Sequence, residues 1–246
     1  MSLLDEAVVL NDGSLMPKVG VTVTSDEDVA KAMKAGYRLL NCTADEKIDF
    51  KNLSPQTYVE IQVSEKVNTR EEMRNNLKEI RNNLVAKHAD LAMLRLSDDA
   101  ERNNQLWQEL EQVKIQGWLK NIGVTNANGD TLAAILKAPK IKPSVIHLDY
   151  EDGSLIKLAR ENKMQVELSV AGDIDALTEI VGHYDTSTME LVLRYFAQKR
   201  IVPIVQADDI VENPQTNFTI APEDMGTIGQ LFAGTKCIIF CGKLNK

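Results

Sequence analysis

Eight short apolar runs, alternating with segments of helical periodicity, constrain the fold of this chain more than any other feature of its sequence. The runs are mostly four to seven residues long and rich in Val, Ile and Leu, as expected of strands that are buried on both faces. Between them, apolar residues recur at three- and four-residue steps, as at Met73, Leu77, Ile80 and Leu84. The runs lie at residues 19–23, 37–42, 58–63, 90–96, 119–124, 144–148, 164–170 and 201–206.

The alternation of strands and helices predicts parallel strands joined by right-handed crossovers. A count of eight favours a closed (β/α)8 TIM barrel, although periodicity alone leaves an open sheet as the alternative. The 246 residues suit one barrel of about 250 residues. No linker or repeat divides the sequence, so we expect a single barrel domain over residues 1–246.

Two local features refine this expectation. Asn11-Asp12-Gly13 lies between two short apolar segments and predicts an N-terminal β-hairpin with a tight two-residue Asp-Gly turn. The interval 43–57, between the second and third runs, contains Pro55 and little apolar periodicity. We therefore expect the second helix of the barrel to be shortened or replaced by a loop.

The charge balance excludes some classes of partner. Lys and Arg number 28 against 36 Asp and Glu, and the longest basic cluster is the pair Lys199-Arg200. Binding to nucleic acid needs a concentrated positive surface, so we do not expect it. No apolar run approaches the ~20 residues that span a bilayer, and the amino terminus lacks the features of a secretory signal. The expected location is cytoplasmic, with no membrane contact.

No metal site is predicted from the sequence. Cys42, Cys237 and Cys241 do not form a disulfide framework. Cys237 and Cys241 lack a second Cys or His pair, so they are interpreted as ordinary apolar residues in a packed terminal segment. The acidic cluster at 149–152 precedes Gly153 and is interpreted as a solvated loop and a helix cap, with a cation site as the alternative.

Six short motifs occur in a fixed order along most of the chain: LNDGSLMP at 10–17, AGYR at 35–38, DLAML at 90–94, NIGVTN at 121–126, LRY at 193–195 and VEN at 211–213. Together they resemble the aldo-keto reductases. The resemblance implies a (β/α)8 barrel whose floor is plugged by the N-terminal hairpin. It also implies hydride transfer from a nicotinamide cofactor to a carbonyl carbon, although activity must be argued from the site and not from the fold.

The four catalytic positions that the resemblance implies are all changed. The family uses an aspartate, a tyrosine, a lysine and a histidine, and these positions hold Asn41, Glu46, Gln62 and Arg95. The neutral amides supply no charge to lower the pKa of a phenol, and an ionised carboxylate cannot donate a proton. The resemblance therefore predicts a barrel without catalytic residues, a pseudoenzyme.

The implied cofactor site is changed as well. Ser169 stands where the family stacks an aromatic ring on the nicotinamide, and residues 202–205 read Val-Pro-Ile-Val in place of a phosphate-binding Ile-Pro-Lys-Ser. Asp209 replaces the arginine that holds the adenosine phosphate, and a carboxylate repels a phosphate. We expect no cofactor, unless a rebuilt site still uses NAD(P).

Five polar residues are the candidates for ligand binding, because strand ends converge on the mouth of a barrel. They are Gln62, Arg95, Thr125, Asn126 and His147. In the family, the Thr-Asn pair binds the nicotinamide carboxamide and a glutamine stands at the histidine position. Arg95 offers a bidentate positive fork, which suits a carboxylate or a small phosphorylated metabolite.

Each of these candidates also has a purely structural interpretation. Arg95 is equally explained by an ion pair with Asp98, Asp99 or Asp149. His147, as a lone histidine at a strand end, is more often only hydrogen-bonded. The Thr-Asn pair is accounted for equally well if it satisfies backbone groups of its own loop.

Three functions remain open at this point. The first is a non-catalytic barrel that serves as a binding or regulatory subunit for a protein partner. The second is a barrel that binds a small anionic ligand. The third is an oxidoreductase of the same family with a rebuilt active site that uses NAD(P)(H) and another proton donor.

Overall fold

Eight parallel strands close into a barrel in which each strand pairs with its neighbours in chain order, as the sequence predicts. The computed structural model describes residues 3–84, 86–137, 139–170 and 175–232. A two-stranded antiparallel sheet precedes the barrel. The strands are β1 (Ala7–Val9), β2 (Leu15–Pro17), β3 (Gly20–Thr22), β4 (Leu39–Thr43), β5 (Tyr58–Gln62), β6 (Ala89–Arg95), β7 (Leu119–Thr125), β8 (Val145–Leu148), β9 (Gln165–Val170) and β10 (Ile201–Gln206).

Helices surround the barrel and bury their apolar stripes against it. They are α1 (Asp26–Lys34), α2 (Arg70–Asn83), α3 (Ala100–Ile115), α4 (Gly129–Leu136), α5 (Gly153–Glu161), α6 (Thr178–Val181), α7 (Thr188–Gln198) and α8 (Pro222–Phe232). α2 illustrates why they form: Thr69 and Glu72 make a capping box at its start, and Met73, Leu77 and Ile80 are buried. None of the helices in the described ranges is long and apolar enough to cross a membrane.

The expected loss of the second helix is confirmed. Between β4 and β5 the described backbone contains a single 3-10 turn, Phe50–Asn52, capped by the side chain of Asp49. Fourteen residues separate the two strands, which is close to the minimum of about a dozen for a crossover connection, so a full helix with its two connections barely fits. The turn buries Phe50 against the core in place of a helix.

The N-terminal hairpin plugs one end of the barrel, which is here called the floor. β1 and β2 pair antiparallel, and Met16 is fully buried against the barrel interior. The predicted two-residue turn is wrong. Asn11, Asp12 and Gly13 all lie in the connection, which is closed by a hydrogen bond from the Leu10 N–H to the Ser14 carbonyl. The turn is wider because Asp12 accepts hydrogen bonds from the backbone and hydroxyl of Ser14, and Gly13 takes the positive φ.

The interior of the barrel divides into two halves of different chemistry. The floor half is apolar and consists of Leu39, Tyr58, Leu91, Met93, Val145, Val202 and Ile204, with Leu10 and Met16 from the hairpin. The upper half, towards the carboxyl ends of the strands, is polar and consists of Asn41, Glu60, Gln62, Thr125, His147, Glu167 and Ser169. The predicted terminal segment with Cys237 and Cys241 lies outside the described residues.

Candidate functional site

The structure brings together only some of the four positions that correspond to the family's catalytic residues. Asn41 and Gln62 point into the upper half of the barrel, where Gln62 Nε2 lies 3.3 Å from Asn41 Oδ1. Glu46 is exposed and lines a separate depression of about 600 Å³ between β4 and α2. Arg95, the last residue of β6, lies at the mouth of the barrel. Glu46 therefore lies apart from Asn41 and Gln62.

The amides of Asn41 and Gln62 are engaged by the interior itself. Asn41 Nδ2 donates to Glu60 Oε1 at 2.6 Å, and Gln62 Nε2 donates to Asn41 Oδ1. The register of β4 and β5 sets Asn41 beside Glu60, which explains the contact. The amide of Gln62 is thus turned inward, and Gln62 is not among the described residues that line the mouth.

The tyrosines nearest in sequence to the site belong to the floor. Tyr58 begins β5 and packs in the floor half, and burial raises its pKa far above the usual value of 10. Burial likewise raises the pKa of Tyr37 to about 12. A raised pKa makes a phenol a weaker acid, so neither residue is suited to proton donation even apart from its position.

Two carboxyl groups and an imidazole meet in the upper half of the barrel. Glu60 on β5 and Glu167 on β9 reach each other from opposite walls, and both are fully buried. His147 on β8 places Nδ1 3.4 Å from Glu167 Oε2 and Nε2 2.8 Å from Ser169 Oγ. These three side chains, Glu60, His147 and Glu167, are called the interior cluster below.

Burial controls the protonation of the interior cluster. Loss of solvent, together with the neighbouring Glu167, raises the pKa of Glu60 well above its usual value. Burial raises the pKa of Glu167 to about 8 and lowers the pKa of His147. All three shifts disfavour the charged forms of these side chains.

A cavity of about 1000 Å³ opens at the mouth of the barrel. Three of the five candidate ligand-binding residues line it, namely Arg95, Asn126 and His147. Thr125 is buried behind the cavity. The strand ends thus bring part of the predicted group together.

Arg95 has a different partner from those considered from the sequence. Its Nε lies 3.7 Å from Glu65 Oε2, and its side chain remains 42% exposed. Asp98, Asp99 and Asp149 line the same cavity, yet none of the described ion pairs joins them to Arg95. An exposed pair at this distance contributes little to stability, so the guanidinium keeps donors for a ligand.

The charge of the cavity wall is mixed. Its lining contains two guanidinium groups and five carboxylates, Arg95 and Arg102 against Glu65, Asp98, Asp99, Asp149 and Asp152. Arg102 is committed to the protein, because it donates to the Val67 carbonyl at 2.5 Å and to Asn68 Oδ1 at 3.1 Å. The wall therefore opposes a ligand that carries several negative charges.

Some polar side chains of the cavity lining also hold the backbone in place. Asn126 adopts a left-handed φ of 55° and donates from Nδ2 to the Leu96 carbonyl at 2.8 Å, which ties the ends of β6 and β7 together. Asp152 caps α5 by accepting from the backbone of Ser154 and Leu155. The helix-cap interpretation therefore holds for Asp152, and Asn126 bonds a loop carbonyl as its structural interpretation expects. Glu151 is not solvated, because it is paired with Lys199 and its side chain is only 14% exposed.

Sequence reasoning missed three residues of this region. Tyr150 follows β8 and lines the mouth cavity, which makes it the described tyrosine best placed to meet a ligand there. Glu60 and Glu167 lie inside runs that the sequence predicts as buried, apolar strands. A carboxylate in the middle of each run was the available signal, since a buried charge needs a partner.

Known proteins with similar sequences identify the family of this barrel. A model of the aldo/keto reductase family matches residues 23–166, more than half of the chain. The chain belongs to the aldo/keto reductase family. Glyoxal reductase of Bacillus subtilis is 27% identical over 93% of each chain, and rho crystallin of Aquarana catesbeiana is 22% identical over 94% of this chain and 93% of its own.

Solved structures of the family share the fold at low sequence identity. An aldo-keto reductase from a Medee basin deep-sea metagenome library superposes with a TM-score of 0.85 at 20% identity, covering 97% of this chain and 100% of its own. A Bombyx mori aldo-keto reductase in complex with NADP gives a TM-score of 0.80 at 18% identity, covering 92% of each chain. Identities this low support the fold and leave the activity of this member to be argued from its own residues.

Proposed function

We propose that this member of the family has lost NADPH-dependent carbonyl reduction and acts as a binding barrel, with a small polar ligand in the mouth cavity. The observation that carries the proposal is the replacement and dispersal of the catalytic positions. Asn41 and Gln62 are bonded into the interior, Glu46 lies in a separate depression, and Arg95 lies at the mouth, paired with Glu65.

The cavity offers no activated proton donor in place of the family's catalytic tyrosine. Tyr150 is present, but the described residues of the lining include no lysine that could take the place of the family's lysine beside it. A carbonyl reduction needs a proton donor poised near neutral pH. Loss of that donor alone removes a rate factor of roughly 10²–10⁴.

The residues that would face the cofactor phosphates do not fit an NADPH molecule. Residues 202–205 form part of β10, with Val202, Ile204 and Val205 buried, so they present no lysine or hydroxyl to a phosphate. Asp208 and Asp209 follow in a 3-10 turn and place two carboxylates there. The Lys31 ammonium donates to the Ala207 carbonyl beside them. One ammonium against two carboxylates leaves the local charge unfavourable to an added phosphate.

The mixed charge of the cavity narrows the ligand class. Arg95 favours a carboxylate, since its fork can donate two parallel hydrogen bonds. The five carboxylates of the wall favour a cationic or hydroxylated group on the same ligand. A small molecule with one carboxylate and one amine therefore fits better than a multiply charged phosphate.

A protein partner is the other form of the binding proposal. Among the residues described, three large apolar side chains are strongly exposed, Val9, Leu15 and Ile115. An interface core usually needs a larger contiguous apolar patch. The cavity therefore favours a small ligand over a protein partner.

The loss of catalysis is tested by turnover. The purified protein is assayed with NADPH and glyoxal, alongside the glyoxal reductase of Bacillus subtilis as the active control. We expect no reduction above background for this chain while the control turns over. Robust turnover by this chain with NADPH and a simple aldehyde would refute the proposal.

The ligand site is tested with probes of defined charge. Acetate, inorganic phosphate and β-alanine are titrated by calorimetry into the parent, Arg95→Ala and Lys157→Ala. Lys157 is exposed on α5 and outside the cavity, so its loss controls for net charge. We expect β-alanine to bind the parent best and Arg95→Ala to bind it at least about tenfold more weakly. Equal binding by all three proteins, or no binding to the parent, would overturn the site.

A rebuilt oxidoreductase remains the second candidate, and Tyr150 in the cavity is the observation that favours it. If a turnover screen with NADH or NADPH finds a substrate, the discriminating variant is Tyr150→Phe. Tyr184→Phe is its control, because Tyr184 bonds to Asp224 outside the cavity. Loss of turnover in the first variant and its retention in the second would establish this candidate against the binding barrel.

A further inference from the structure

The interior cluster brings together three potential metal ligands from three strands. Glu60, His147 and Glu167 each offer one ligand atom, and these atoms all lie within 4.8 Å of one another. The residues are far apart in the sequence, but strands β8 and β9 are neighbours and β5 faces them across the barrel. The closure of the barrel is therefore what creates the group.

The cluster is buried without a cationic side chain. Glu60 and Glu167 are 0% exposed and His147 is 3% exposed. Among the described ion pairs, neither carboxylate is matched by a lysine or an arginine. Burial of an uncompensated carboxylate is costly, so this pair needs either a proton or a bound cation.

Two oxygens of the cluster lack a protein donor. Apart from a proton that the two carboxyl groups can share, Glu60 Oε2 and Glu167 Oε1 have no hydrogen-bond partner among the described residues. The His147 Nδ1 to Glu167 Oε2 separation of 3.4 Å is long for a hydrogen bond. It matches the roughly 3.3–3.6 Å between neighbouring ligand atoms of a tetrahedral ion bound at ~2.0–2.2 Å.

Outer partners already orient two of the three ligands. Ser169 Oγ lies 2.8 Å from His147 Nε2, which leaves Nδ1 as the nitrogen that faces the carboxylates. Asn41 Nδ2 donates to Glu60 Oε1 at 2.6 Å and holds that side chain in place. Bonds of this kind fix ring orientation and carboxylate position around protein-bound metals.

We propose that Glu60, His147 and Glu167 bind a divalent first-row transition-metal ion, Zn²⁺ or Mn²⁺ in class, inside the barrel. One imidazole and two carboxylates form a donor set suited to such ions. His147 also lines the mouth cavity, which supplies the entry path. The ion neutralises both buried carboxylates and links β5 to β8 and β9 across the barrel.

The test begins with the full-length protein as purified, whose metal content is measured by mass spectrometry. The protein is then stripped with a chelator and titrated with Zn²⁺, Mn²⁺ and Mg²⁺, with thermal unfolding and calorimetry as readouts. We expect about one Zn²⁺ or Mn²⁺ per chain and a higher Tm on binding. Mg²⁺ should bind far more weakly, because it keeps its waters and prefers oxygen ligands.

Two single changes assign the ion to the cluster. Glu167→Gln keeps the shape of the side chain and should weaken binding by more than about 100-fold, while Ser169→Ala should weaken it by about 10–100-fold. His183→Gln is the matched control, because His183 forms an exposed histidine–carboxylate pair with Asp224 at the surface. This control should bind as the parent does.

A cobalt spectrum reports the ligands of the ion directly, so it separates a change at the site from a loss of folding in a variant. Co²⁺ added to the stripped parent should give visible d–d bands of a nitrogen- and oxygen-ligated ion, and Ser169→Ala should shift them. The proposal is overturned if Zn²⁺, Mn²⁺ and Co²⁺ all leave the Tm of the stripped parent unchanged. It is equally overturned if a folded Glu167→Gln variant binds the ion as tightly as the parent, since the two carboxyl groups would then be neutralised by a shared proton.

Discussion

The two halves of the barrel interior differ in polarity and in the role that each is expected to have. The floor half is apolar, closed by the hairpin, and contains residues such as Leu91 and Met93 that are fully buried. The upper half has the same enclosure but holds Glu60, His147 and Glu167. In barrels of this type the floor serves stability and the carboxyl ends of the strands serve function. The residues in which this chain differs from the family's catalytic pattern therefore lie towards the carboxyl ends of the strands, where they bear on activity more than on stability.

The largest expected effect is in the floor half. Leu91→Ala leaves a cavity in a fully buried layer and should lower the free energy of unfolding by about 2–5 kcal/mol. Leu15→Ala, on the exposed face of the hairpin, should change it by less than about 0.5 kcal/mol. Urea denaturation of both variants measures the contrast. Equal losses would show that the floor is not the stabilising half.

The upper half should instead make stability depend on pH in the metal-free protein. Since the folded protein raises the pKa of Glu167 from 4.5 to about 8, the unfolded chain ionises first as pH rises. The free energy of unfolding should therefore fall between pH about 4.5 and about 8, by up to about 1.4 kcal/mol for each pH unit. Glu167→Gln should flatten that slope, as measured by urea denaturation in the presence of a chelator.

The control for this prediction is Glu179→Gln, which changes an exposed carboxylate on α6. It should keep the slope of the parent. Parallel pH profiles for the parent and Glu167→Gln would contradict the conclusion that the interior cluster causes the pH dependence of the free energy of unfolding.

The smallest expected effect comes from restoring the family's catalytic residues. Asn41→Asp, Glu46→Tyr, Gln62→Lys and Arg95→His combined should still give no measurable NADPH-dependent reduction. The residue at 46 lies on an exposed turn beside a separate depression, because the second helix is absent. Circular dichroism establishes that the variant is folded, and turnover by a folded variant would show that the dispersal of the site is not what limits it.

Much of the fold could be predicted because its signals are local. The eight apolar runs match β3 to β10 within about two residues at each end, a normal uncertainty for element boundaries. The short 43–57 interval predicts the missing helix, since a crossover needs a minimum length of chain. The hairpin turn was mispredicted because the Asp12 side chain, bonded to Ser14, widens the connection.

The site was predicted less completely, because its contacts are between distant strands. Glu60 and Glu167 meet across the barrel, and no local pattern encodes that pairing. The sequence predicts an aspartate partner for Arg95, whereas the observed partner, Glu65, lies in the turn after the neighbouring strand β5. Parallel strands buried on both faces read as nearly continuous apolar runs, and a single carboxylate in such a run does not show which strand holds its partner.

The central claim is that this barrel has lost the use of NADPH, and binding of the cofactor tests it most directly. NADPH is titrated into the purified protein by calorimetry and by cofactor fluorescence, with the glyoxal reductase of Bacillus subtilis as a positive control. The account predicts saturable binding by the control and none by this chain at the same concentrations. Saturable binding of NADPH by this chain, abolished by excess NADP, would contradict it.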